Sequence, residues 1–225
     1  MSTRPLLAVL FALLNCVAFS LPYVPLELAA QSENSRSPAN CPSEIDVEGD
    51  SAHVSPPHAK QCHVQTRNST AFPDPSCTPG AFNPSVTLSV LKNPDFKTGC
   101  LRNHATTEGE KNATDKDNTY DYYGIPRNMN SQGHGQVCEL DHFIPLYLGG
   151  ADTLDNIWPQ CGQTGASGEN LYFKKKDKVE VYLGDQVRAG KMTLPAAREG
   201  IVKDWTQYSE AARDYCASNK CGDED

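Results

Sequence analysis

Residues 139–160 read ELDHFIPLYLGGADTLDNIWPQ, and what this run folds into decides the rest of the chain. Val137 to Tyr147 has the composition of a strand entering a loop, and Gly149-Gly150 supplies the permissive backbone that a chain reversal needs. Asp141-His142 sets a hard oxygen ligand beside a side chain that titrates near neutrality. Asn156, fourteen residues after His142, comes back beside it if the glycine loop folds the chain over, and its amide oxygen can accept a hydrogen bond or bind a metal. Hydrolysis of a phosphodiester needs a water made nucleophilic, a cation to hold the phosphate and leaving oxygen, and rigid placement of both. These residue types suit that task. Taken singly they are ordinary: an Asp-His pair before Ile-Pro is a common loop, and Asn before an apolar residue is a common turn. Only the combination carries a signal.

Outward from this run, a Gly-rich insert (Gly162, Gly165, Gly168) leads to a helix expected from about Asn170 to Ala189, with Val179, Tyr182, Leu183 and Val187 at helical spacing. A last helix is expected after Thr193 as N-cap, with Pro195 in its first turn and Ala197, Ile201, Trp205, Tyr208 and Ala212 on one face. The coarse order is hairpin, helix, helix. Upstream, Asn83-Pro84 followed by Val86, Leu88, Val90 and Leu91 starts either a short helix or a strand, and periodicity does not choose. Residues 101 to 135 are polar and rich in Gly and Asn, and are expected as a long loop carrying Tyr120, Tyr122 and Tyr123. Trp158 and Trp205 are expected in the core.

The first twenty residues carry Arg4, an apolar run from Pro5 to Val17 and small residues at Ala18 and Ser20, the order of a secretory signal peptide over 1–20. No segment approaches the roughly 20 apolar residues of a spanning helix, so no membrane partner is expected. Cys16 leaves with the leader, and an even set remains: Cys41, Cys62, Cys77, Cys100, Cys138, Cys161, Cys216 and Cys221. In an exported chain that set reads as a disulfide framework whose pairing sequence does not fix, and no Cys-x-x-Cys spacing supports zinc. Sequons at Asn68 and Asn112 fit glycosylation on the same route. Residues 21–76, rich in Ser, Pro, Asn and His, are expected as a low-order extension stapled by Cys41 and Cys62, ahead of a domain over 77–216 and an acidic tail over 217–225. The formal charge of −8 becomes −9 once Arg4 is lost with the leader, which carries no Asp or Glu. That balance opposes non-specific nucleic-acid binding, although Lys174, Lys175, Lys176 and Lys178 make one locally basic stretch.

The run DHFIPLYLGGADTLDNIWP resembles the core of the HNH family, with Asp-His-x-x-Pro, a Gly-Gly and then Asn-hydrophobic at the same distance. CTPGAFNPSVT upstream and KKKDKVEVYLGDQVRAGKMTLPAAREGIVKDW downstream are similar to secreted bacterial and fungal HNH-like proteins, and the resemblance spans roughly residues 77 to 208. It implies an α+β fold with a ββα-metal centre: a strand delivers the general base His142, Asp141 binds metal, and Asn156 orients His142 or braces the loop. It implies a nuclease acting on DNA or RNA with Mg²⁺, or Mn²⁺, as a monomer outside the cell. Family members often carry a helix His as a further ligand, and no His follows His142 here. Asn170 is then the candidate metal ligand, with Asp177 second, Glu139 supports from the strand face it shares with Asp141, and Lys175 and Lys176 contact phosphate. Because successive strand residues alternate in face, Asp141 and His142 serve one site only if the strand ends or distorts there.

Two rival expectations stand beside this. An effector or nucleic-acid-binding protein that keeps the scaffold without turnover is favoured by the acidic balance and the missing helix His. A purely structural cystine-rich protein would make DHFIP to NIWP a buried loop.

Overall fold

The computed structural model describes residues 40–47, 59–68, 70–102, 118–126, 138–162, 172–218 and 221, all within one unit, Ser35–Asp225. The expected leader, Asn112 and Asn170 lie outside them, as do His53, His58, His104 and His134.

The run ELDHFIPLYLGGADTLDNIWPQ forms an antiparallel hairpin. β3 (Cys138–His142) pairs with β4 (Ile157–Cys161) in a regular ladder from Cys138↔Cys161 to His142↔Ile157. The connection folds back as expected, for two different steric reasons. Gly149 follows a 3₁₀ turn, Leu146–Leu148, with φ +72°, where a side chain is strained. Gly150 has no room: a Cβ there would collide with the Ile144 carbonyl. A single bridge, Phe82↔Gly150, and the bonds Asn83 N–H to Gly149 O and Ala151 N–H to Ala81 O fasten the loop to the chain before it.

That upstream chain continues into α1 (Leu88–Lys92), capped by the Thr87 hydroxyl, so the open choice between strand and helix falls to helix. Residues 118–122 form a helical turn, α2, with Tyr120 and Tyr123 buried, inside the region expected as loop. α3 (Tyr172–Arg188) lays Phe173, Lys176, Val179, Leu183 and Val187 against the core. α4 (Leu194–Asp204) begins at the Thr193 cap, whose hydroxyl accepts from Ala196 N–H, with Pro195 in the first turn. The single last helix expected beyond it is two: at Asp204 the backbone turns extended (φ −168°, ψ 95°), a 3₁₀ turn Trp205–Tyr208 follows, and α5 runs over Ser209–Ser218. The Asp204 carboxylate seals the break by accepting from Thr206 N–H at 3.0 Å and the Thr206 hydroxyl at 2.5 Å. Trp205 and Trp158 are core residues as expected.

The extension is a correction. β1 (Gln65–Arg67) and β2 (Thr70–Phe72) form a short hairpin whose turn starts at exposed Asn68, φ +47°, a conformation Asn tolerates. It is packed into the same core: Phe72 is wholly buried against Phe143 and Trp205. Arg67 lies 4.7 Å from the Phe72 ring centroid and donates to the Val202 and Lys203 carbonyls at the end of α4. Ile45 and Val47 also reach the core, so structure begins well before Cys77. The expected Cys41–Cys62 staple is not formed. Cys41 pairs with Cys100, Cys62 with Cys77, Cys138 with Cys161 across the hairpin, and Cys216 with Cys221, which ties the start of the acidic tail to α5. Among the described residues no helix is long and apolar enough to cross a membrane.

Candidate active site

His142 is the last residue of β3, and its placement is fixed from three directions. The Phe143 N–H donates to the Asn156 carbonyl at 2.7 Å. The Asn156 side chain, wholly buried, accepts from Ile144 N–H at 2.8 Å and donates to the carbonyls of Ile144 (3.0 Å) and Ala151 (2.8 Å). Its amide oxygen and both amide protons are engaged in holding the loop, so Asn156 is a brace. Third, His142 Nε2 lies 2.8 Å from Asp152 Oδ1, with the imidazole 14 % exposed and the carboxylate nearly closed off. A carboxylate only accepts, so we assign the ring proton to Nε2; Nδ1 then carries the lone pair. No pattern in the sequence singles out Asp152.

β3 ends at His142 with no distortion before it: the ladder stays regular to its final pair, so the Asp141 and His142 side chains leave on alternate faces, although both residues border the cavity at the strand end. Asp141 turns toward α3, where its Oδ2 accepts from Trp158 Nε1–H at 3.1 Å and its Oδ1 from Lys176 Nζ at 2.9 Å. Lys176 is 0 % exposed and also donates to the His142 carbonyl (2.8 Å) and to Glu180 (2.5 Å). Its ammonium thus has three protons and three acceptors, and it is unavailable to a phosphate. The expectation for Lys176 is corrected on that ground; Lys175 beside it is exposed.

Strand end and helix enclose a small cavity of about 70 Å³ whose polar lining includes Glu139, Asp141, His142, Asp177, Glu180 and Arg102. Carboxylates predominate, and they perturb one another. Burial, then the charges of Asp177 and Asp141, push Glu139 up to about 9. Burial likewise raises Asp177 to about 6, against the pull of Lys174 at 3.4 Å. Glu180 is raised by burial with Lys176 opposing. Glu139 and Asp177 thus line one cavity with Asp141. Among the described residues no three His, Cys, Asp or Glu side chains already converge as a metal-holding group.

The raised Glu139 has a measurable consequence. Between the ordinary carboxyl value of 4.5 and about 9, the folded chain keeps a proton that the unfolded chain has released, so stability falls as pH climbs through that window. Glu139→Gln mimics the protonated form. In EDTA it is expected to melt on the order of 5 °C above the unsubstituted protein at pH 8 and at the same temperature near pH 4.5. Equal melting curves at pH 8 would show that Glu139 is ionised and accommodated.

Comparison with protein-family models, with curated proteins and with solved structures returned no match.

Proposed function

We propose that the chain is an exported, HNH-like nuclease that hydrolyses phosphodiester bonds of DNA or RNA, with the β3–β4 hairpin and α3 as a ββα centre and His142 as general base. The observation that carries this reading is His142 held through Nε2 by Asp152 at the end of β3, on a loop braced by Asn156. With Nε2 protonated, Nδ1 takes the proton from the attacking water while Asp152 steadies the imidazolium that forms. Arg102, which lines the same cavity as His142, supplies the positive charge for a phosphate oxygen that Lys176 does not.

The hard oxygen donors on the cavity suit a divalent cation such as Mg²⁺ or Mn²⁺ better than a soft one. Glu139, Asp141 and Asp177, which all line the cavity, would hold the cation. When bound, such a cation supplies charge neutralisation of the phosphate and of the departing oxygen. Four cystines accord with an oxidising, extracellular setting.

The test is incubation of oxidised protein with plasmid DNA and with total RNA, in Mg²⁺, in Mn²⁺ and in EDTA. Cleavage that requires the divalent ion is expected, and the preferred nucleic acid is read from the same gel. A second reading, a nucleic-acid-binding or effector protein without turnover, is favoured by the charge of −8 and by the withdrawal of Lys176 into the interior. It predicts no cleavage from folded protein under any of these conditions.

A further inference from the structure

The cavity that His142 lines is too small for a nucleotide. At about 70 Å³ it has room for a few waters, an ion or a phosphate oxygen, so a strand cleaved there must lie across its mouth and be held elsewhere. A second cavity, of about 400 Å³, adjoins it, with Thr98 and Tyr147 as a common wall. That volume falls within the roughly 300–1,000 Å³ of small-molecule sites. Its lining comes from the end of α1, from the 3₁₀ turn Thr98–Leu101 and the chain before it, and from Arg188, the last residue of α3. The Cys41–Cys100 disulfide ties that turn down, so the wall is a fixed one.

Across the shared wall the sign of the charge reverses. The His142 cavity carries Glu139, Asp141, Asp177 and Glu180 against Arg102. Among the described residues no carboxylate lines the larger cavity, whereas Lys92, Lys97 and Arg188 do. In a chain of net charge −8, three cations on one concavity point to an anionic ligand. Lys92 and Lys97 are exposed, and Lys97 Nζ reaches the Pro94 carbonyl only at 3.5 Å, a marginal hydrogen bond. Arg188 is held in place instead. Its Nε donates to the Leu91 carbonyl at 3.1 Å, and its guanidinium lies 5.3 Å from the Tyr147 ring centroid. Asp185, one turn back on α3, is 3.6 Å from Nη1, but both side chains of that pair are partly exposed and water screens it. The two lysines therefore carry most of the charge open to a ligand.

We propose that this basic cavity is a backbone subsite for a nucleic-acid strand, in which Lys92 and Lys97 hold the phosphate next to the one cleaved at His142, with Thr98 and Tyr147 between the two. The inference rests on the nuclease reading for which phosphate is the neighbour, though not for the binding itself. Lysine is a point charge without a fixed hydrogen-bonding fork, so the strand is held by its phosphates and not read by its bases. The arrangement also reconciles an acidic chain with a polyanionic ligand. Attraction is confined to one concavity that carries its own positive charge, so binding there does not require a divalent ion, whereas cleavage next door does. A dinucleotide, which has no phosphate beyond the scissile one, cannot use the subsite at all.

The experiment follows the fluorescence anisotropy of labelled single strands of about 12 nucleotides, DNA and RNA, titrated with the oxidised full chain in EDTA between about 50 and 200 mM salt. Saturable, salt-sensitive binding is expected. Lys92→Gln combined with Lys97→Gln should weaken it on the order of tenfold and reduce the slope of log affinity against log salt by about one. Lys60→Gln combined with Lys203→Gln removes the same charge from exposed positions outside both cavities and should leave affinity within about twofold. All four lysines are exposed, so both double variants should melt close to the parent. A polyglutamate peptide of matched charge should bind far more weakly than either strand. No saturable binding by the parent, an equal loss in the two double variants, or polyglutamate bound as tightly as DNA and RNA overturns the subsite. In Mg²⁺ the Lys92→Gln/Lys97→Gln chain should lose kcat/KM on the longer strand by the same order and keep the parent's rate on a dinucleotide; an equal loss on both substrates also overturns it. Binding that depends on the two lysines in a parent that never cleaves would sink the nuclease and keep the phosphate-binding cavity. Cleavage of the longer strand that survives their loss undiminished would sink the subsite and keep the nuclease.

Discussion

Replacement of Lys176 by Met is expected to cost about 3–5 kcal/mol of folding stability at neutral pH. The ammonium is fully enclosed, and its three protons meet Asp141 Oδ1, Glu180 Oε1 and the His142 carbonyl at 2.9, 2.5 and 2.8 Å. Burial pulls the lysine down, but the two carboxylates more than compensate and hold it above its ordinary value. A lysine raised in this way contributes stability that is fully present below its unfolded titration and is lost only in strong alkali, so at pH 7 the whole contribution is at stake. A methionine side chain fills the channel with no donor and strands two carboxylates in a low-dielectric site. Those carboxylates can escape by taking up protons, so the deficit should shrink as pH falls toward 5. Adding Glu180→Gln to the Lys176→Met variant should recover part of it. Denaturant melts at pH 5 and pH 8 decide the matter: a cost independent of pH would mean that Lys176 acts through packing of its methylenes and not through its charge.

The same residue shows what is legible in the sequence and what is not. Val179, Leu183 and Val187 mark one helical stripe, and counting back from them puts position 176 on the buried side. Its chemistry points to solvent. A buried lysine is permitted only by acceptors brought from elsewhere, and Asp141 is 35 residues away in sequence. The hairpin, the two glycines and the Thr193 cap follow from local rules, and they appear where local rules put them. Asp152 does not: nothing local separates it from Asp155 three residues on, which instead binds the Thr153 hydroxyl. Which of the two meets His142 is set by the path of the loop. The β1–β2 hairpin is invisible to pattern reading because strands of three residues are too short to show alternation. Conversely, the apolar positions of α4 and α5 keep their phase across the break at Asp204, so periodicity alone joins two helices into one.

His142→Ala should lower the rate of cleavage by about 10²–10⁴-fold with little change in the apparent affinity for nucleic acid. The imidazole is the reacting group in this reading. The loop that carries it is held by Asn156, so its removal leaves the surrounding geometry in place. Added imidazole should restore part of the lost rate by entering the vacated space, a rescue that a merely structural histidine would not show. Asp152 is a positioning residue and predicts a different signature. Asp152→Asn offers Nε2 an amide that can donate as well as accept, so the imidazole can settle with its proton on Nδ1 and its lone pair turned away from water. The expected result is a fall in kcat of about 10²-fold or more with KM nearly unchanged, and no rescue by imidazole because the ring is still present. If Asp152→Asn cleaves as well as the parent while His142→Ala does not, His142 acts without a fixed tautomer. If both variants cleave normally, the base lies elsewhere on the cavity wall, and the cluster of raised carboxylates around Glu139 and Asp177 becomes the next place to look.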